Sequence, residues 1–199
     1  MNHPRFTLQA PHRYELEVKR SRFVAHATPL ASLEAAPAFL QAVQDLQATH
    51  NCWAYKLGSQ YRFSDDGEPA GTAGRPILSA IEAQHLDKVM VVVTRYFGGV
   101  KLGAGGLVRA YAGVAAECLR RAPKQALLPR VRCALQAPFE FSNVIYQLSE
   151  GLERWGETYS EDGLCLQVVL EEEKLPFMQS KLRDLTRGRA TLQVLERLE

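Results

Sequence analysis

VVVTRYFGGVKLGAGGLVRAY, from Val91 to Tyr111, changes character twice in 21 residues. Its first part completes the near-continuous apolar run DKVMVVVTRYF, which suits a strand buried on both faces. Gly98, Gly99, Gly103, Gly105 and Gly106 then place five residues without side chains in nine positions. GLVRAYAGVAAECLRRA follows as a helix with a small-residue face of Ala110, Gly113, Ala115 and Ala116. A strand, glycine loop and helix start together make a backbone cradle for anions, because unpaired N–H groups and the helix dipole point outward there. The competing reading is a tight connection with close helix packing, which glycine serves equally well. No Lys-Ser/Thr pair follows the glycines, and Val108 stands where a dinucleotide fingerprint has its last glycine. Nucleoside-triphosphate and NAD chemistry are therefore disfavoured.

Upstream, FSDDGEPAGTAGRP, from Phe63 to Pro76, sets Asp65, Asp66 and Glu68 among turn residues. Three carboxylates on a loop can bind a divalent cation through hard oxygens or act as acid and base in hydrolysis. They can equally build a turn, with Asp side chains bonding nearby N–H groups. Arg95, Lys101 and Arg109 flank the glycine loop. Arg95 fits either a bidentate phosphate contact or an internal ion pair with Asp65 or Asp66. Thr72 and Arg75 belong to the acidic loop and either touch a ligand or pin the helix that begins near Pro76. His50 and Cys52 are set aside as a nucleophile pair, since nothing upstream suggests a lowered thiol pKa. Trp53 and Tyr55 share a strand face and read as core. Phe63, Tyr96 and Phe97 border both segments and are better placed for stacking on bases, with burial the competing reading for at least two of them.

The chain has 199 residues, of which 46% are hydrophobic and 23% charged, the profile of an ordinary globular protein. No apolar run approaches the ~18 residues of a membrane helix, and MNHPRFTLQAPHRYE lacks a secretory core, so the cytoplasm is expected. Cys52, Cys118, Cys133 and Cys165 are scattered without a CxxC pair and are taken as reduced. Residues 1–128 carry 15 Lys/Arg against 10 Asp/Glu, and residues 129–199 carry 9 against 12, so the positive excess lies in the first part.

APKQALLPR, from Ala122 to Arg130, has two prolines and no helical stripe, which divides the chain into 1–122, a linker 123–130, and 131–199. Beyond the linker the pattern is β-α-β-β-α-β: VRCALQA, the helix FSNVIYQLSEGLERW capped by Ser142, GETYS, LCLQVVLEE, the helix KLPFMQSKLRDLTRG, and RATLQVLERL. That order is the ferredoxin-like split βαβ. Before it, RYELEVKR and RFVAHATPL pair around Ser21. SLEAAPAFLQAVQDLQATH is an amphipathic helix capped by Ser32, and NCWAYKLG with YRFS is a hairpin. The fold class is α+β.

FSDDGEPAGTAG and VVVTRYFGGVKLGAGGLVRAY, at this spacing, resemble the signature of the IMPACT family, in particular its bacterial YigZ branch. The resemblance implies a first domain like the second domain of a small-subunit ribosomal protein and like domain IV of elongation factor G, an α/β sandwich. It implies a second domain like domain V of the same factor. Eukaryotic members act in translational control, by competing for a regulator of the starvation-response kinase.

The expectation is a non-enzymatic RNA- or ribosome-binding protein with a role in translation or its regulation, open to a protein partner. Phosphate would meet Arg75, Arg95, Lys101, Arg109 and the loop glycines, oriented by the acidic loop. No catalytic residue, metal or cofactor is assigned. The alternative is a metal-assisted hydrolase of a phosphorylated small molecule, motivated by Asp65, Asp66, Glu68 and Arg95 meeting at one cleft.

Overall fold

A computed structural model describes residues 5–198. The chain divides between Leu127 and Leu128 into two compact units. The first contains β1 (Arg5–Leu8), β2 (His12–Val18), β3 (Ser21–Pro29), α1 (Ala35–Val43), β4 (His50–Leu57), β5 (Gln60–Ser64), α2 (Gly74–Ala83), β6 (Val89–Tyr96), α3 (Gly103–Arg121) and β7 (Lys124–Leu127). The second contains β8 (Arg130–Ala137), α4 (Ser142–Leu148), β9 (Glu153–Ser160), β10 (Gly163–Glu171), α5 (Leu175–Leu185) and β11 (Thr191–Leu198).

In the first unit an antiparallel sheet runs β2-β3-β6-β4-β5. β6 lies at its centre and is buried along both faces, as its apolar run dictates. The period of two along β6 divides the core. Val89, Val91 and Val93 pack with Ile77 and Ile81 of α2 and Leu107, Tyr111, Val114 and Cys118 of α3. Met90 and Val92 face the other way, under Ala36, Phe39 and Leu40 of α1.

Three local expectations are corrected. The helix expected over 32–50 is α1 alone. Its N-cap is Glu34 without a side-chain bond, so Ser32 is not the cap, and the chain turns extended at Gln44. Asp45 then accepts the Gln47 N–H in a local turn that competes with helix. The stretch 123–130 is not all connection, because Lys124–Leu127 is a strand that pairs with β1 from Arg5 to Leu8. In the second unit the cap of α4 is Phe141, and Ser142 Oγ donates back to the Phe139 carbonyl instead. Glu153, Arg154 and Trp155, expected in that helix, begin strand β9.

The second unit has strand order β11-β8-β10-β9, all antiparallel, which is the ferredoxin-like arrangement. Val131, Cys133, Leu135, Leu166 and Val168 meet Ile145 of α4 and Met178 and Leu182 of α5 in a separate core. Pro176 sits in the first turn of α5, and Gly188 follows it at φ +77°. All four cysteines are free thiols.

Candidate functional site

The two glycine-rich segments meet. Arg95, at the end of β6, points to the α2/α3 side of the sheet and is only 6% exposed. Its Nη1 lies 3.3 Å from Glu68 Oε1, and Glu68 is 8% exposed. The hydroxyl of the fully buried Tyr111, on α3, donates to the same carboxylate oxygen at 2.7 Å. The guanidinium also lies over the Phe23 and Phe97 rings, 5.8 and 5.5 Å from their centroids. Arg95 Nε is buried without a hydrogen-bond partner. A charge held this far from water persists only because its counter-charge is held with it.

Glu68 reaches this position through an abrupt backbone reversal. Asp66 and Gly67 have φ of +41° and +82°, two consecutive left-handed residues that turn the chain back toward the sheet. Asp66 Oδ2 accepts the Asn51 N–H at 2.6 Å, and the Asp66 carbonyl accepts His50 Nδ1–H at 2.6 Å. That contact fixes the proton on Nδ1, and Nε2 stands 3.7 Å from Glu68 Oε2. His50 thus holds the acidic loop at the Asp66 carbonyl and stands beside Glu68.

Asp65 has a separate role. Its carboxylate accepts the backbone N–H groups of Gly71 at 2.9 Å, Ala73 at 3.1 Å and Gly74 at 2.8 Å. Ala73, the N-cap of α2, has no side chain to offer these donors, so Asp65 supplies the acceptor from earlier in the chain. Thr72 Oγ1 donates to the Pro69 carbonyl, and Arg75 pairs with Glu82 along the exposed face of α2. Both serve the helix.

The three acidic side chains therefore take separate partners. Among the described residues no three His, Cys, Asp or Glu side chains converge as metal ligands. The internal ion pair expected of Arg95 is with Asp65 or Asp66, but Glu68 takes that place. Arg95 itself is inside the protein and engaged, which removes it from the exposed phosphate contacts.

Sequence reasoning missed His50, Cys52, Phe23 and Tyr111 as members of this cluster. His50 and Cys52 are two residues apart on β4 and so share a face, the one signal that was available. Cys52 Sγ lies 3.0 Å from the Asp65 carbonyl and 3.4 Å from Tyr111 Oη. Burial pushes its thiol up to about 12, which suits a structural thiol and not a nucleophile. Burial likewise raises Tyr111 far above the ordinary phenol range, so it stays a donor to Glu68.

The outer side of the glycine loop is different in kind. A Cβ on Gly98 would lie 1.9 Å from the Arg20 carbonyl oxygen, so this glycine admits the β2–β3 turn against the loop. Gly99 is exposed at φ +86°, and Gly103 opens α3 at φ +74°. Gly105 and Gly106 complete the first turn of the helix, which has no acidic residue and no side-chain cap. Lys101 and Arg109 flank it, both exposed, and among the described residues neither makes an ion pair or side-chain hydrogen bond. Phe97 beside them is 47% exposed and Phe63 38%. Tyr96 is unavailable for stacking, since it donates to Asp45 Oδ2 at 2.6 Å beneath the Arg22 guanidinium.

In the first unit a buried Glu-Arg-Tyr cluster thus ties an acidic loop to a glycine loop on a sheet ordered β2-β3-β6-β4-β5. The profile of the Impact N-terminal domain matches residues 19–119, which contain every member of that cluster. The "IMPACT family member in pol 5'region" of Thermus thermophilus is 54% identical over 176 residues, covering 86% of this chain and 97% of that protein. "IMPACT family member YigZ" of Escherichia coli (strain K12) is 35% identical, covering 90% of this chain and 92% of its own length. A solved structure described as "Crystal structure of an hypothetical protein" aligns with a TM-score of 0.76 at 33% identity, over 98% of this chain and 99% of that one. The chain belongs to the IMPACT family.

Proposed function

We propose that the first unit binds the phosphate backbone of RNA, free or within the ribosome, and that the protein acts in translation or its regulation. The observation that carries this is the start of α3: an uncapped first turn of Gly103 to Gly106, free of carboxylates and flanked by Lys101 and Arg109 without partners among the described residues. A 19-residue helix directs its positive dipole end there, and the exposed N–H groups are donors for phosphate oxygens. Phe97 offers an adjacent ring for a base. Arg95 acts behind this surface, fixing the loop through Glu68. The metal-assisted hydrolase loses its motivation, because Asp65, Asp66 and Glu68 face different partners.

The succession of a five-stranded, helix-covered sheet and a ferredoxin-like unit supports likeness to domains IV and V of elongation factor G. The second unit, with its acidic excess, would then meet protein instead of RNA. The cytoplasm is the compartment this role requires, and no helix among the described residues is long and apolar enough to cross a membrane.

Co-sedimentation with ribosomes and subunits across a salt series tests the reading. Binding should weaken steeply with salt, and Lys101→Ala with Arg109→Ala should lower the slope of log K against log salt by roughly two. Binding that ignores both salt and the double variant would overturn it.

A further inference from the structure

The opposite face of the same sheet carries a second concavity. Between α1 and β4 lies a cavity of about 360 Å³, walled by Trp53, Tyr55, Pro37 and Leu40, with Met90 in its lining. One side is the stretch from Leu33 to Leu40 and the other is β4 with Arg62 of β5. Trp53 and Tyr55, two residues apart on β4, hold their rings parallel within 2° at a centroid separation of 5.9 Å. The one charged side chain in the lining is Arg62, which stands across from Tyr55 on β5. Arg62 is exposed, and among the described residues it has no ion pair or hydrogen bond.

Flat aromatic walls, a polarisable thioether and one unopposed guanidinium select a particular chemistry. Aromatic faces and methionine sulfur favour a planar ring, and an unpaired guanidinium at the rim favours a planar or phosphate anion. No carboxylate lines the cavity to repel it. Its volume lies in the lower range of small-molecule pockets, enough for one ring system with its charged group at the mouth. We propose that this cavity is a binding site for a small aromatic anion of the nucleoside monophosphate class. The site is separate from the glycine loop and does not depend on RNA binding there.

Trp53 and Trp155 are the two tryptophans, so Trp155→Phe leaves Trp53 as the sole indole reporter in the full chain. Titrating that variant with AMP, GMP, CMP and UMP should give saturable quenching and a rise in melting temperature for at least one of them. Adding Arg62→Ala, an exposed edge-strand change that leaves the core untouched, should weaken that affinity roughly tenfold, the value of a charge-assisted contact. The matching nucleoside, lacking phosphate, should bind equally well with and without the Arg62→Ala substitution. Three results would each overturn the proposal. One is the absence of both quenching and thermal shift with all four mononucleotides. Another is quenching that does not change on Arg62→Ala. The third is a response to an oligoribonucleotide alone, whereas loss of ribosome binding by the Lys101 and Arg109 variants bears only on the glycine loop.

Discussion

At the scale of single residues, the decisive fact is that Glu68 and Arg95 are each held out of water by the other. Glu68→Gln keeps an acceptor for the Tyr111 hydroxyl and leaves the guanidinium buried without its counter-charge. We expect it to destabilise the first unit by about 3 kcal/mol, against about 1 kcal/mol for Tyr111→Phe. Chemical denaturation of both single variants and the double variant should show coupling, since Arg95 and Tyr111 share the Glu68 carboxylate. Additive losses would mean that the cluster is not one unit. The sequence marked out the two segments, because strand period, glycine density and clustered carboxylates are local signals, but it could not show that they touch. It did not reveal which carboxylate turns inward. That choice depends on left-handed backbone at Asp66 and Gly67, which propensity permits but does not dictate. For the same reason the sequence alone leaves Arg95 open between a phosphate contact and an internal ion pair: exposure is a property of the packed sheet, not of the residue type.

At the scale of elements, α2 illustrates a helix started by a residue outside it. Asp65 accepts the N–H groups of Gly71, of the N-cap Ala73 and of the first helical residue Gly74, so Asp65→Ala should cost about 2 kcal/mol, more than an ordinary cap, while Asp65→Asn should recover part of the loss. Amide hydrogen exchange at Gly71, Ala73 and Gly74 is the direct measurement, and unchanged protection in the alanine variant would refute the arrangement. Helices α3 and α5 were legible from their amphipathic period and glycine or proline punctuation. The length of α1 was not, because Asp45 ends it with a side-chain turn that hydrophobic period does not register. Strands β1 and β7, four residues each, were invisible for a related reason. They are strands because they pair with one another across most of the unit, and neither carries a pattern of its own.

At the scale of the whole molecule, each unit has its own core and all its strand partners, so each should fold alone. The position of β7 makes this testable to within a few residues. A fragment 1–127 should unfold cooperatively and be more stable than a fragment 1–122, in which β1 loses its partner. Equal melting temperatures would show that the β1–β7 ribbon contributes nothing. The ferredoxin-like order of the second unit was readable almost throughout, since alternating strands and two amphipathic helices leave little topological choice. The buried cluster of the first unit also bears on how such a chain can change over generations. With acid and base sharing one dry site, neither Glu68 nor Arg95 can be exchanged for an apolar residue without leaving a stranded charge. Any lineage that abandons the pair must cross a poorly folded ancestor or alter both positions together, so Glu68 and Arg95 are expected to be inherited, or lost, as a set.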